Sequence, residues 1–412
     1  RGDHPMNKPM NACALCGQCT VICPNGFDMS QVCKSARENM VSTDKMPLAP
    51  HEFALMDMLF SNSEAFLSRP QPGYETCRYV FFPGCQAGAI APDVVMQAYE
   101  DLSNRVDRGV ALMLGCCGAI SEWAGRYEMT EKVNEQLKQE LAKLGDPIII
   151  AGCPSCMKQL KESIGAHVIG IWEILREIGL PQQAKGLEIP VAIHDACGAR
   201  GDAQTQDMIR QLLSDMGCIV EDTEYSRDLS PCCGYGGLTA YANKDMAAKM
   251  TEKCLERSDA PYITYCMACR DRFAREGRES RHILELLYGA NASNMPDISE
   301  KRYNRLILKQ TLLKNIWNEE PIMEKKDYTV AYTEEAIHMM DERMILKSDV
   351  ERVLSDYREN QEAILDEETK ELVTRSRLGN VTFWVRFVET EDGYLVHRAY
   401  SHRMNIMKRV GQ

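Results

Sequence analysis

One arrangement of cysteines occurs twice between residues 85 and 269: Cys85, Cys116-Cys117 and Cys153-x-x-Cys156, then Cys197, Cys232-Cys233 and Cys266-x-x-Cys269. Equivalent positions are offset by 112, 116, 116, 113 and 113 residues, which marks an internal duplication. Four thiolates satisfy a tetrahedral zinc or an ordinary cubane cluster. A fifth, with two ligands adjacent in sequence, points to a larger or more irregular iron-sulfur assembly. The chemistry this implies is electron transfer or reductive bond cleavage, and the fold must bring thiols from distant sequence to one point.

The 412 residues, 44% of them hydrophobic, are enough for two to four domains with substantial cores. Reading the 18 cysteines as a secreted disulfide framework suits short chains with a signal peptide, and the spacing here argues against it. The opening Arg-Gly-Asp-His has no apolar targeting core, and no apolar run reaches a membrane span. The expectation is a cytoplasmic chain with no transmembrane segment of its own. A formal charge of −12 (48 basic against 60 acidic residues) opposes binding to nucleic acid.

Residues 1–46 contain Cys13-Ala-Leu-Cys16-Gly-Gln-Cys19-Thr-Val-Ile-Cys23-Pro24, the C-x2-C-x2-C-x3-C-P run of a ferredoxin-type 4Fe-4S module. Cys13, Cys16 and Cys19 are expected to hold one cluster. Cys23 either completes it or ligates another, with Cys33, Cys77 or a companion motif upstream as other ways to complete the site. Zinc is the plain alternative, but the three-residue intervals and the terminal proline favour iron. A helix is expected over Ser30 to Met40. Residues 47–77 read as a connector punctuated by Pro47, Pro50, Pro70 and Pro72 around a helix near Glu52 to Phe60.

From residue 78, short apolar runs alternate with amphipathic helices, an α/β pattern with largely parallel strands. Cys85 follows Tyr79-Val-Phe-Phe82, Cys116 follows Val110 to Leu114, and Cys153 follows Ile148-Ile149-Ile150. Cys197 follows Val191-Ala-Ile193, and Cys266 follows Tyr262-Ile-Thr-Tyr265. Helices expected over Asp93 to Arg105, Ser121 to Leu144 and Asp207 to Met216 return the chain, so the strand ends converge on the carboxyl edge where open α/β sheets bind ligands. Gly118 and Gly234 permit the turn after each vicinal pair. The cluster Gly234-Tyr-Gly-Gly237 lacks a nucleotide-loop fingerprint and is expected to serve close backbone approach to a metal cluster. No flavin or nicotinamide fingerprint is visible, so reducing equivalents are expected from another protein.

His194 and Asp195 are candidates for proton relay near the second quintet, with strand-end packing the commoner role for a lone histidine. Arg200 and Arg270 are candidates to balance cluster charge. Cys218 and Cys254 read as buried hydrophobes. Residues 291–327 read as a helical linker packed on the cluster domains, its cations Arg302, Arg305, Lys309 and Lys314 forming a solvated face or docking an acidic partner. Residues 328–412 read as an α+β element with a capping box at Ser348-Asp-Val-Glu351 and a hairpin at Asp392-Gly393. His338, His397 and His402 are expected to lack carboxylate or thiolate company, and the element to dock a partner or only to stabilise the fold.

The motifs Phe82-Pro-Gly-Cys85, Gly115-Cys-Cys-Gly118, Cys153-Pro-Ser-Cys156, His194-Asp-Ala-Cys197, Pro231-Cys-Cys-Gly-Tyr-Gly-Gly237 and Tyr265-Cys-Met-Ala-Cys269 resemble those of the cysteine-rich CCG-domain family, in particular the B/D-type subunits of heterodisulfide reductase. The resemblance covers about residues 1–290. It implies an α/β fold with an N-terminal helical ferredoxin-like module, two duplicated Rossmann-like CCG domains (78–187 and 188–290) with clusters at strand carboxyl ends, and a small C-terminal α+β domain. It implies that each quintet holds a noncubane 4Fe-4S cluster fed by the ferredoxin-type cluster. The chain would then be an iron-sulfur oxidoreductase subunit of a complex with other redox subunits, a flavoprotein or ferredoxin-like subunit among them. Disulfide or heterodisulfide reduction and a purely electron-transferring, docking role are the alternatives. The single ferredoxin run and the tail after residue 327 depart from the reductase subunits and leave the heterodisulfide substrate unassigned.

Overall fold

A computed structural model of the chain describes residues 5–289, 295–320, 327–379 and 381–403. They fall into two compact units, Arg1–Met295 with Tyr303–Pro321, and Pro296–Arg302 with Ile322–Gln412.

The first unit holds two sheets. Leu67–Arg69 (β1), Tyr79–Phe82 (β2), Val110–Leu114 (β3), Ile148–Ala151 (β4) and Val168–Gly170 (β5) lie in the order β1-β3-β2-β4-β5. Val191–His194 (β6), Val220–Asp222 (β7), Tyr262–Thr264 (β8) and Ser280–His282 (β9) lie in the order β7-β6-β8-β9. Except for β1, which runs antiparallel to β3, every pairing is parallel. The orders β3-β2-β4-β5 and β7-β6-β8-β9 are the same, so the duplicated cysteines ride on a duplicated topology. β2, β3 and β4 read as unbroken apolar runs because helices cover both faces of a parallel sheet. Tyr79 stands opposite both Val110 and Ile148, which levels the three strands and releases their following residues along one edge.

The helix expected over Ser121 to Leu144 is two helices, Ala119–Trp123 and Tyr127–Lys143. Gly125 separates them at φ +70°, and a Cβ there would stand 2.8 Å from the backbone of Arg37. Close approach of the N-terminal helix Met29–Ser42 therefore sets the break. The expected connector supplies the helix Glu52–Ser61 and also β1.

The helix Ile298–Trp317 falls within the expected linker, whose residues 291–294 and 321–326 lie outside the described ones. From Tyr303 onward it packs on the first unit: Asn304 Nδ2 donates to Ala89 O at 2.8 Å and Trp317 Nε1 to Pro70 O at 2.9 Å. Arg305 corrects the solvated-face reading. It is buried, paired with Asp57 at 2.8 Å and bonded to Cys85 O at 2.9 Å.

In the second unit, Thr329–Tyr332 (β10), Ile364–Leu365 (β11), Leu372–Leu378 (β12), Val381–Thr390 (β13) and Gly393–His402 (β14) form a sheet in the order β10-β14-β13-β12-β11. The expected hairpin closes with Thr390 opposite Gly393. Helices Glu334–Arg343 and Lys347–Asn360 pack on it through Ala336, Val350, Val353 and Leu354, against Val385, Phe387 and Val396. The cap differs from the expected box: the Asp349 carboxylate accepts the Leu346 N–H at 3.0 Å, so the helix starts two residues earlier. The histidines differ too, since His397 is bonded to the Glu371 carboxylate and His338 lies 3.7 Å from Glu342. No helix among the described residues is long and apolar enough to cross a membrane.

Candidate metal centres

Each cysteine of the first repeat is delivered by a strand end. Cys85 opens the helix Cys85–Ile90 after β2, through Gly84 at φ +89°. A Cβ on Gly84 would stand 3.2 Å from Cys156 Sγ, so the glycine makes room for a sulfur. Cys116-Cys117 follows β3 and is clamped by Asn62, whose Oδ1 accepts the Cys116 N–H at 2.7 Å while its Nδ2 donates to Cys116 O at 3.1 Å. Cys153 precedes, and Cys156 lies in the first turn of, the helix Pro154–Ile164.

The second repeat copies this plan with one change. Cys197 begins a 3-10 turn after β6, and Cys266 and Cys269 flank the start of the helix Met267–Arg275. Cys232-Cys233 does not follow β7 directly; residues 223–231, with a 3-10 turn at Arg227–Leu229, intervene. Both vicinal pairs turn on a left-handed glycine, Gly118 at φ +88° and Gly234 at φ +90°.

The ten sulfurs touch in sequence. In the first repeat Cys85 bonds Cys116, Cys116 bonds Cys117, Cys117 bonds Cys156, and Cys156 bonds Cys153. In the second, Cys266 bonds Cys269, Cys269 lies 3.1 Å from Cys233, Cys233 bonds Cys232, and Cys232 bonds Cys197. Cys153 and Cys266 join the two sets. The repeats meet closely because Gly198 has no Cβ; one would stand 2.6 Å from Ser155 N.

The N-terminal run is distributed differently. Cys13 bonds Cys33, Cys16 bonds Cys232 in the second repeat, and Cys19 is exposed. Cys23 is held below the usual thiol range by the backbone N–H groups of Phe27, Asn25 and Gly26. Cys77 is buried in the hydrophobic core of the first unit, its N–H bonded to Leu144 O at 3.3 Å. Gly236 and Gly237 pack on this run: added Cβ atoms would stand 2.7 Å from Ala14 O and 2.5 Å from Cys13 O. The glycine cluster thus admits the backbone of Cys13 and Ala14, and an added Cβ on Gly236 would also stand 3.9 Å from Cys232 Sγ. Arg37 carries no expectation from the sequence. Fully buried, it donates to Met10 O and Cys13 O in the N-terminal segment, Trp123 O in the first repeat and Gly237 O in the second. The available signal is its place one helical turn after Cys33 on Met29–Ser42.

A family model described as a cysteine-rich domain, CCG, matches residues 79–161 and again 191–273. The chain carries two CCG domains. It is also 22% identical over 308 residues to the D-type subunit of the dihydromethanophenazine:CoB–CoM heterodisulfide reductase of Methanosarcina acetivorans, covering 66% of this chain and 73% of that one. Over 278 residues it is 24% identical to an uncharacterized iron-sulfur protein of Methanococcus maripaludis, covering 62% of this chain and 55% of that protein. An uncharacterized iron-sulfur protein of Methanocaldococcus jannaschii is 23% identical over 252 residues, covering 57% of this chain and half (50%) of its own length. The chain thus spans little more than half of these two iron-sulfur proteins. No solved structure matches it.

The donor set of the CCG domains suits iron and sulfide. In the first domain all five sulfurs line a cavity of about 60 Å³, with Trp123, Tyr235 and Met267 on its walls. Without a cation these thiols oppose one another. Cys116 pushes Cys85 up and draws Cys117 down to about 6, while Cys117 pushes Cys156 well above the usual range. In the second domain Cys232 is raised, first by Cys16, and Cys233 is lowered, first by Cys232. Buried thiols in mutual contact cannot all ionise unless a cation compensates them, and a coordinating metal does that.

Around the second CCG domain the charged candidates have protein partners. Asp195, a relay candidate, is held as a carboxylate: Arg210 binds both its oxygens at 2.9 Å, and Tyr265 Oη donates to it at 3.0 Å. Arg270 pairs with Glu285 at 3.1 Å, both side chains buried. Arg200 donates to Cys16 O at 2.8 Å and to Asp228 O and Ser230 O, tying the N-terminal run to the second domain. Cys16 is drawn down to about 6, by Cys232 first and Arg200 in part. Cys218 and Cys254 are buried as expected. Among the described residues, one group brings three ligand atoms within 4.8 Å of one another: His194, Cys233 and Cys269.

Proposed function

We propose that this chain is an iron-sulfur oxidoreductase subunit that relays electrons between an N-terminal 4Fe-4S cluster and a pair of noncubane 4Fe-4S clusters in its CCG domains. The first CCG cluster is held by Cys85, Cys116, Cys117, Cys153 and Cys156, and the second by Cys197, Cys232, Cys233, Cys266 and Cys269. Cys13, Cys16 and Cys19 hold the N-terminal one, with Cys23 as the fourth ligand or, as its bond to Cys13 suggests, Cys33. The carrying observation is the unbroken line of sulfur contacts, in which Cys16 meets Cys232 and Cys266 meets Cys153. Bound clusters supply one-electron storage. The chain's own residues bury most of the CCG ligands, and Arg37, Arg200 and Arg305 place positive charge behind Cys13, Cys16 and Cys85. Electrons come from a partner redox subunit of a multisubunit complex, a flavoprotein or a ferredoxin-like subunit, and residues 328–412 serve its docking.

A second reading, disulfide reduction at the CCG pair, is favoured by a separate cavity of about 380 Å³ that reaches Cys197 and is also lined by Trp123, Ser155 and Gly236. Anaerobic iron and sulfide analysis with EPR during reductive titration tests the main reading. Three clusters with an N-terminal signal distinct from two others are expected, and a zinc-only chain rejects it. Oxidation of the reduced protein by an added disulfide separates the two readings.

A further inference from the structure

We infer that His194 makes the two CCG centres unequal by donating a hydrogen bond to the sulfur ligands of the second, so that this centre is the electron sink of the pair. The inference rests on the iron-sulfur reading above. His194 ends β6 and Phe82 ends β2, each three residues before the first cysteine of its quintet, Cys197 and Cys85. The duplicated topology makes the two positions equivalent, yet one carries a ring N–H and the other a hydrocarbon.

The geometry fixes which way the histidine acts. Its ring is buried and stands edge-on to Phe273, with centroids 4.9 Å apart. Its Nδ1 lies 3.3 Å from Arg257 Nη2. A guanidinium has donors and no acceptor, so Nδ1 must accept and the proton sits on Nε2. Arg257 is itself anchored on Thr223 Oγ1 at 2.8 Å and Glu224 O at 3.1 Å, which holds this tautomer in place. In that tautomer the ring can only donate to a sulfur, and Cys233 is its hydrogen-bonded neighbour, with Cys269 in the same 4.8 Å group. At the first cysteine of each vicinal pair the backbone donors correspond, Gly234 to Cys232 as Gly118 to Cys116; the first domain adds the backbone donors Ala119 to Cys117 and Ser155 and Cys156 to Cys153, whereas the side-chain donor His194 belongs to the second alone.

A hydrogen bond to a ligating thiolate withdraws electron density from iron and favours the reduced cluster. In the transfer between the centres, one electron leaves the first CCG centre, which is oxidised, and enters the second, which is reduced. No bond is made or broken.

The test uses the full chain, loaded anaerobically and titrated with dithionite under EPR, comparing wild type with His194→Phe, which copies Phe82, and His194→Gln, which keeps an N–H donor. His194→Phe is expected to lower the midpoint potential of one CCG centre toward the other, leaving the N-terminal signal and the iron and sulfide content unchanged, and His194→Gln to stay near wild type. Unmoved midpoints in a fully loaded His194→Phe protein overturn the inference. Should that variant lose its iron, HYSCORE on protein labelled with 15N-histidine decides. A nitrogen coupling present in wild type and missing in His194→Gln supports the contact, and its absence from wild type overturns it. A wild-type chain without iron and sulfide fails the underlying reading instead, so the two failures are distinct.

Discussion

Arg37 Nη2 donates to the carbonyl oxygen of Cys13 at 2.6 Å while Nη1 of the same guanidinium reaches Trp123 O and Gly237 O, each at 2.8 Å. One buried cation thereby joins the N-terminal run to both CCG domains. Its burial depresses its own pKa, and the nearby thiols of Cys13 and Cys33 oppose that shift. Arg37→Met leaves four carbonyls without this donor, each costing about 1–3 kcal/mol, partly offset by removal of a desolvated charge. A net loss of about 3 kcal/mol, concentrated in the N-terminal segment, is expected. Limited proteolysis checks it: cleavage within residues 1–46 should accelerate while 78–290 stays protected, and an unchanged digestion pattern contradicts the role given to Arg37.

Gly237→Ala probes the same junction from the other side. The residue sits at φ +57°, and its Cβ would lie 2.5 Å from Cys13 O and 2.7 Å from the Ala14 carbonyl carbon, neither of which can swing away as a side-chain tip can. Steric displacement plus left-handed strain is expected to cost about 2–4 kcal/mol and to weaken the N-terminal EPR signal before the CCG signals. Gly165→Ala, also at positive φ but with nothing within 4 Å, isolates the strain component. Equal loss in the two variants, measured by chemical denaturation, would show that contact with Cys13 contributes nothing.

Much of this is legible in the sequence because a thiol is a rare, chemically committed side chain. Cys116-Cys117 and Cys232-Cys233 announce the repeat by spacing alone, and β2, β3 and β4 announce themselves as unbroken apolar runs. What stays hidden depends on which faces meet. Arg305 on Ile298–Trp317 looks like any solvent-facing helix cation until Asp57 and Cys85 O surround it. The Cys153–Cys266 contact joins residues from different repeats and carries no local signal. β1 is three residues long, too short for alternation to register, and exists because β3 offers an edge. At Lys347–Asn360 the sequence advertises Ser348/Glu351, but the helix begins after Leu346, which has no side-chain acceptor, and only the return bond from the Leu346 N–H to Asp349 forms, a start that carries no capping signature.

His51 supplies a pH dependence. Its Nε2 lies 2.9 Å from Asn11 Oδ1, and because Asn11 Nδ2 donates to Met46 Sδ, the amide oxygen is oriented to accept from the ring. Burial, then Arg37 and Arg126, lower its pKa from 6.5 to about 3. A base with a depressed folded pKa binds protons more readily when unfolded, so its stabilising contribution is complete above about pH 6.5 and is lost as pH falls toward 3. At pH 5 the loss is about 2 kcal/mol. Thermal melts from pH 7.5 to 5, compared with His51→Gln, should show a steeper acid decline in wild type. Parallel curves would exclude His51 as the titrating group.

Replacing one vicinal cysteine in each CCG domain separates the centres. Cys116 is positioned by its backbone, through Asn62 on both its N–H and its carbonyl, so Cys116→Ser preserves the turn and removes only a ligand. Cys233→Ser acts on the sulfur that meets Cys232 and Cys269. Each variant is expected to lose about four irons per chain, one cluster's complement, and one CCG signal, with the N-terminal signal intact. The two losses should differ in one respect. Cys232, retained in this variant, contacts Cys16, so loss of the second cluster changes the charge beside the N-terminal centre, which should reduce at a changed potential in Cys233→Ser but not in Cys116→Ser. Redox titration followed by EPR reads this directly; identical N-terminal midpoints in both variants would break the proposed adjacency of the N-terminal and second CCG centres, and unchanged iron content would reject the ligand assignments themselves.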